Sequence, residues 1–223
     1  MTDLLYQWPT AARVGRRVPK EKFYEHATVN GALRAKFVSE VARVTWEYKL
    51  AEATINLPDS DEVPEIQVFQ VDTKSTDVSD HVLAAIDKAI QSPIIFEVTR
   101  EAVEGTQVRM VAAHKQLSAG APKISQYFTT GWHLADTDRQ PLPTAITLPA
   151  LYAALLEPLT DVAIRPGEGM SEVADRLKNV DKLKREIKAL ERKLHAEKQF
   201  NRKIELRRTL KTKQAQLTVL TQR

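Results

Sequence analysis

The stretch from Glu65 to Arg100 constrains the fold most, because it reads as strand, helix and strand in immediate succession. EIQVFQVDTK is rich in β-formers, a helical pattern starts at Val78 within STDVSDHVLAAIDKAI, and SPIIFEVTR returns to a strand after Pro93. This βαβ-like unit predicts an α/β (α+β) body: a mixed β-sheet flanked by helices. Along the first strand Ile66, Val68, Gln70, Asp72 and Lys74 share one face and Gln67, Phe69, Val71 and Thr73 the other, since strand side chains alternate.

The flanking segments fit around that unit. Gln107–Leu117 reads as a third strand reached through the polar turn EAVEGT, so it forms a hairpin with the second. A short strand is expected at Lys123–Thr130, and a helix at Leu148–Leu159 with Pro149 and Pro158 at its ends. Upstream, Leu33, Phe37, Val41, Val44 and Tyr48 recur at spacings of three and four, which predicts one or two helices over Lys22–Leu50, broken at Asn30-Gly31. Residues 1–22 read as an extended arm, because Trp8-Pro9 and Val18-Pro19 disfavour helix. Leu4, Leu5, Tyr6 and Trp8 would anchor that arm, while Arg16 and Arg17 are placed to touch phosphate. The connection Ala51–Pro64 is acidic and interrupted by Pro58 and Pro64.

After the breaker Arg165-Pro166-Gly167-Glu168-Gly169 the chain has no Gly or Pro. The expected division is a body at 1–165, a hinge at 166–170 and a basic arm at 171–223. Val173, Leu177, Val180, Leu183, Ile187, Leu190 and Leu194 form a coiled-coil seam. The apolar set resumes in another register at Phe200, Ile204, Leu210, Leu217 and Leu220, so the arm is either one coiled-coil helix with a stutter or a helical hairpin reversing near Glu197–Asn201. Two arms of matched length that bury each other's seams favour the hairpin.

Charge divides along the same line. The net charge is +4, but residues 171–223 carry 16 Lys and Arg against 7 Asp and Glu, net +9, leaving −5 for the rest. A basic arm on an acidic body points to a nucleic-acid backbone or an acidic protein surface as partner. The cations of the second half are Lys198, Arg202, Lys203, Arg207, Arg208, Lys211 and Lys213, opposed by Glu205 alone. The alternative is a solvated helix whose Lys and Arg merely face water. A chain with no cysteine has no thiolate nucleophile and no disulfide. No apolar run nears the roughly 18 residues needed to cross a membrane, so cytoplasmic residence is the expectation.

RVGRRVPKEKFYEH, VTWEYKLAEATINLP, EIQVFQVDTK, VLAAIDKAIQSPIIFEVTR, VRMVAAHKQL and ERKLHAEKQFNRKIEL together resemble the bacterial family labelled domain of unknown function 4391, over nearly the whole chain. The resemblance implies an accessory role in restriction or phage-defence assemblies, because members of that family tend to be encoded beside DNA methyltransferases and helicases. Those subunits are therefore the partners it implies. It brings no catalytic residues with it.

One constellation could carry chemistry. Pro58-Asp59 followed by Asp72-Thr73-Lys74 matches the PD…(D/E)xK pattern of metal-dependent nucleases, in which Asp59 and Asp72 would hold Mg²⁺ and Lys74 would steady the attacking water. Read otherwise, Asp59 belongs to an acidic linker, Asp72 and Lys74 form a polar strand end, and no cofactor is required. His26, His81, His114, His133 and His195 show no paired ligand spacing. Tyr127, Phe128 and Trp132 could offer a stacking platform for bases, with core packing as the alternative. The expected function is a non-enzymatic accessory subunit that binds DNA or partner proteins. A Mg²⁺-dependent nuclease and a purely structural adaptor whose coiled coil binds only protein are the other classes, and the coiled coil could also join copies of the chain into a homo-oligomer.

Overall fold

In the computed structural model, residues 5–26, 30–116, 122–160 and 170–221 are described. The chain divides into two units, Met1–Thr160 and Asp161–Arg223. After a 3-10 turn at Thr10–Ala12, the first unit runs β1 (Arg13–Arg17), α1 (Glu21–His26), α2 (Gly31–Glu40), β2 (Val41–Leu50), α3 (Glu52–Ile55) and β3 (Ile66–Thr73). It continues through α4 (Asp80–Ala89), β4 (Ile94–Ala102), β5 (Gly105–Gln116), β6 (Lys123–Thr129), β7 (His133–Leu134) and α5 (Leu148–Leu156).

The sheet has seven strands in the order β1-β2-β3-β4-β5-β6, with β7 pairing the opening half of β5. β3 and β4 run parallel, Gln67 beside Ile94 through Asp72 beside Thr99, and α4 is the crossover between them. The remaining pairings are antiparallel, including the predicted hairpin of β4 and β5, in which Ala102 stands opposite Gly105. Gly105 has φ +117, a conformation open to glycine, and it closes the turn after Glu104.

Both faces of the sheet are covered, which is why the central strand β4 opens with five consecutive buried residues. On one face Phe69, Val71, Phe96 and Val98 meet Val82, Leu83 and Ile86 of α4, with Phe37 of α2 and Phe23 of α1 completing the cluster. Alternation turns Ile66, Val68, Ile95 and Met110 to the opposite face. There α5 packs on β5, and the Tyr152 hydroxyl donates to the carbonyl of Ala113 at 2.6 Å. The N-terminal segment is anchored on this face as well. Leu5, Tyr6 and Trp8 are buried, and the Trp8 indole N–H donates to Glu97 at 2.7 Å.

The expected helix over the whole of Lys22–Leu50 is corrected: helix ends at Glu40, and Val41–Leu50 is β2. The spacing of three from Val41 to Val44 misleads because bulges between Val41 and Arg43 and between Trp46 and Tyr48 shift the strand's alternation. Its burial pattern therefore lacks the strict period of two. The extended arm likewise contains a strand, β1, which pairs along β2 through a bulge at Gly15, φ +62.

The second unit is a helical hairpin. α6 (Met170–Ala196) and α7 (Phe200–Thr221) are joined by Glu197–Gln199 and run antiparallel. Lys213 pairs with Glu186 at 2.8 Å and Arg176 donates to the carbonyl of Leu220 at 3.1 Å, which fixes the registration. Buried Val173, Val180, Leu183 and Ile187 follow the expected seam. Opposite them α7 presents Leu206, Leu210, Leu217 and Leu220, while Phe200 is 72% exposed and stands outside the seam. The Glu197 carboxylate accepts from the N–H groups of Lys198 and Gln199 at 2.8 and 2.9 Å, closing the turn. The breaker at Arg165–Gly169 lies outside the described residues.

Candidate nucleic-acid interface

A two-helix seam consumes apolar positions at alternate spacings of three and four and turns the others outward. On α7 the seam positions are Lys203, Leu206, Leu210, Lys213, Leu217 and Leu220, of intermediate burial. The predicted cations therefore separate into two groups. Lys203 and Lys213 lie along the seam, and Lys213 is paired with Glu186, which lowers the Glu186 pKa through that hydrogen bond. Arg202, Arg207, Arg208 and Lys211 are exposed on the helix, and Lys198 is exposed in the turn before it.

α6 adds a stripe that the sequence reading passed over. Lys178, Lys182, Arg185, Lys188 and Arg192 are all exposed, at spacings of four, three, three and four. At about 1.5 Å per residue they span about 21 Å along the helix. Subtracting the seam from a 3.6-residue wheel would have found them, whereas counting charge by segment drew the eye to α7.

In the first unit Arg16 and Arg17 are exposed on β1, at the edge of the sheet. Lys20 follows closely, its Nζ donating to the carbonyls of Phe37 and Val41 at the end of α2. Lys74 donates to the neighbouring carbonyl of Val38 at 2.7 Å. Burial lowers the Lys20 pKa, and the charges of Lys74 and Arg17 lower it further, outweighing Glu21. Arg17, Lys20 and Lys74 thus form a local positive field at the negative end of the α2 dipole.

The nuclease constellation does not assemble. Asp59 lies in the connection that enters β3 at its Ile66 end, where the preceding carbonyl of Pro58 accepts from Leu148 N–H at 2.8 Å. Asp72 and Lys74 stand at the other end, about 20 Å along the strand from Ile66. The Asp72 carboxylate is also engaged: Arg43 and Gln70 donate to it at 2.6 Å each and Thr99 at 2.7 Å. Lys74 is turned to α2, and among the described residues no three His, Cys, Asp or Glu side chains stand together to hold a metal.

Nor do the aromatic residues form a free platform. The Tyr127 hydroxyl donates to Asp87 at 2.8 Å and Phe128 is buried. Trp132 is covered by the guanidinium groups of Arg100 and Arg109, at 4.0 and 5.2 Å from its ring centre.

No curated protein and no solved structure matches the chain. The family model described as a domain of unknown function (DUF4391) matches residues 7–217, a span that includes both the sheet and nearly all of the hairpin. The chain belongs to that family.

Proposed function

We propose that the protein is a non-enzymatic binding subunit of a DNA-directed assembly of modification, restriction or phage-defence type, and that its hairpin grips the nucleic-acid backbone. The observation that carries this reading is the sorting of side chains in the hairpin. The leucines are spent in the seam, while Arg202, Arg207, Arg208 and Lys211 remain exposed on α7 and five further cations on α6. Side chains of this kind neutralise phosphates and release their counterions, which gives affinity without base readout. Arg16 and Arg17 on the edge strand extend the positive surface of the first unit. The family's association with methyltransferases and helicases supplies the kind of assembly, and those subunits are the proposed protein partners.

Titration of the full chain onto labelled duplexes of unrelated sequence tests the reading. Five phosphate contacts give a slope of log affinity against log salt of about −4.5, the same for each duplex. A slope near zero would remove the backbone from recognition, and strong preference for one sequence would require base contacts that this surface does not explain.

A further inference from the structure

One flank of the hairpin is grooved. On α6, Asn179, Glu186 and Lys193 repeat at intervals of seven and so share a line, with Lys182 beside them. On α7, Arg202, Glu205, Thr209, Thr212, Gln216 and Val219 repeat at three and four and form the facing line. Two grooves open between these lines. One, of about 580 Å³, is floored by Leu183 and Leu220 and walled by Ala215 and Val219, the latter 63% exposed. The other, of about 770 Å³, continues toward the turn between Lys193 and Arg202. The two grooves share no lining residue but lie on the same heptad lines, so they stand end to end as the two halves of a channel from Asn179 to Ala196, about 25 Å long at 1.5 Å per residue. That is the length of about four to five turns of helix.

The charges along the channel are not balanced inside the hairpin. Glu186 is taken by Lys213, and Glu197 by the two N–H groups of its own turn. Lys182, Lys193, Lys198 and Arg202 make no ion pair among the described residues, and with Lys213 they give the lining five cations against the three carboxylates of Glu186, Glu197 and Glu205. A second copy of the arm would bring another net +9 against them, so self-association is opposed. We infer that the channel holds a third helix, an acidic amphipathic helix of another polypeptide, laid between α6 and α7 as in a three-helix coil. Its apolar side would meet Leu183, Ala215 and Val219, and its carboxylates would reach Lys182 and Lys193. Of the cations proposed above to meet phosphate, Arg207, Arg208 and Lys211 lie off this line, while Lys182 and Arg202 belong to both surfaces.

The test uses a fluorescent synthetic peptide of about 18 residues, the length of the channel, with leucines at helical spacing and glutamate and alanine elsewhere. A scrambled peptide of identical composition is the control. Anisotropy with the full chain should show the ordered peptide binding at least about tenfold more tightly than the scrambled one, with a gain of helicity in circular dichroism. Val219→Glu and, separately, Ala215→Glu should each weaken it by about tenfold or more, while Arg208→Gln should change it by less than about twofold. Both channel positions are exposed, so helicity of the free variants should match the parent. Equal binding of the two peptides, no binding of the ordered one, or indifference to Val219→Glu and Ala215→Glu would overturn the inference. Light scattering that showed a dimer abolished by Val219→Glu would give the channel to a second copy and overturn it as well.

Discussion

The Lys115 ammonium is fully enclosed and sits against the Asp87 carboxylate at the C-terminal end of α4. Its Nζ also donates to the carbonyls of Asp87, Ile90 and Ser92 at 2.7, 2.9 and 2.8 Å, so one side chain from β5 caps the crossover helix and its exit turn. Tyr127 of β6 donates to the same carboxylate at 2.8 Å. Burial raises the Asp87 pKa and lowers that of Lys115, and the attraction between the two groups opposes both shifts.

Removing one partner should therefore be severe. Lys115→Met leaves a buried carboxylate with Tyr127 as its remaining side-chain donor and should cost about 3–5 kcal/mol in denaturant unfolding. Lys115→Met with Asp87→Asn should recover part of that loss, because no charge is then stranded. A loss below about 1 kcal/mol for the single variant would show that the pair does not hold α4 in place.

The N-terminal segment should behave as part of the first unit's core. Trp8 is buried, its N–H donates to Glu97, and Arg139 holds the same carboxylate at 2.6 Å while donating to the carbonyl of Tyr6 at 2.8 Å. Trp8→Ala should cost about 3–5 kcal/mol in unfolding free energy. Trp8→Phe, which keeps a ring and loses one hydrogen bond to a carboxylate that Arg139 still satisfies, should cost about 1–2 kcal/mol. Near-neutral behaviour of Trp8→Ala would mean that the segment merely lies on the surface.

Acid should weaken the fold in part through Glu65. Burial alone would raise its pKa, but hydrogen bonds from Lys49, Gln67 and Ser92, together with the Lys49 charge, outweigh burial and hold it below the ordinary value of 4.5. A depressed folded-state pKa means that the stabilisation is fully present above the unfolded value and is lost as pH falls through the folded one. Thermal stability should decline as pH drops from about 5 toward 3, less steeply in Glu65→Gln. Identical acid limbs in the two proteins would contradict this role.

The elements that sequence made legible are those whose apolar pattern arises locally. The parallel pair β3 and β4, the crossover α4 and the hairpin to β5 follow from runs of β-formers and one amphipathic helix. The hairpin arm was legible from its seam, including the reversal at Glu197–Gln199, because two offset registers meet there. β2 was not, since its bulges imitate a helical spacing. Nor was β1, whose five exposed residues carry no apolar alternation and are a strand by virtue of the neighbour they pair with. The basic residues of α7 were legible as a charge run, but which of them are exposed depends on the partner helix. The separation of Asp59 from Asp72 is a tertiary fact that motif spacing cannot carry.

The measurement that bears most directly on the proposed function is the salt dependence of duplex binding by full-length protein carrying Arg207→Gln, Arg208→Gln and Lys211→Gln. All three residues are exposed on α7 outside the seam, so helicity and melting should be those of the parent. If each contacts a phosphate, the slope of log affinity against log salt should shrink by about 2.7 relative to the parent, with weaker binding at every salt concentration. An unchanged slope and affinity in the folded triple variant would contradict the hairpin's role in holding DNA.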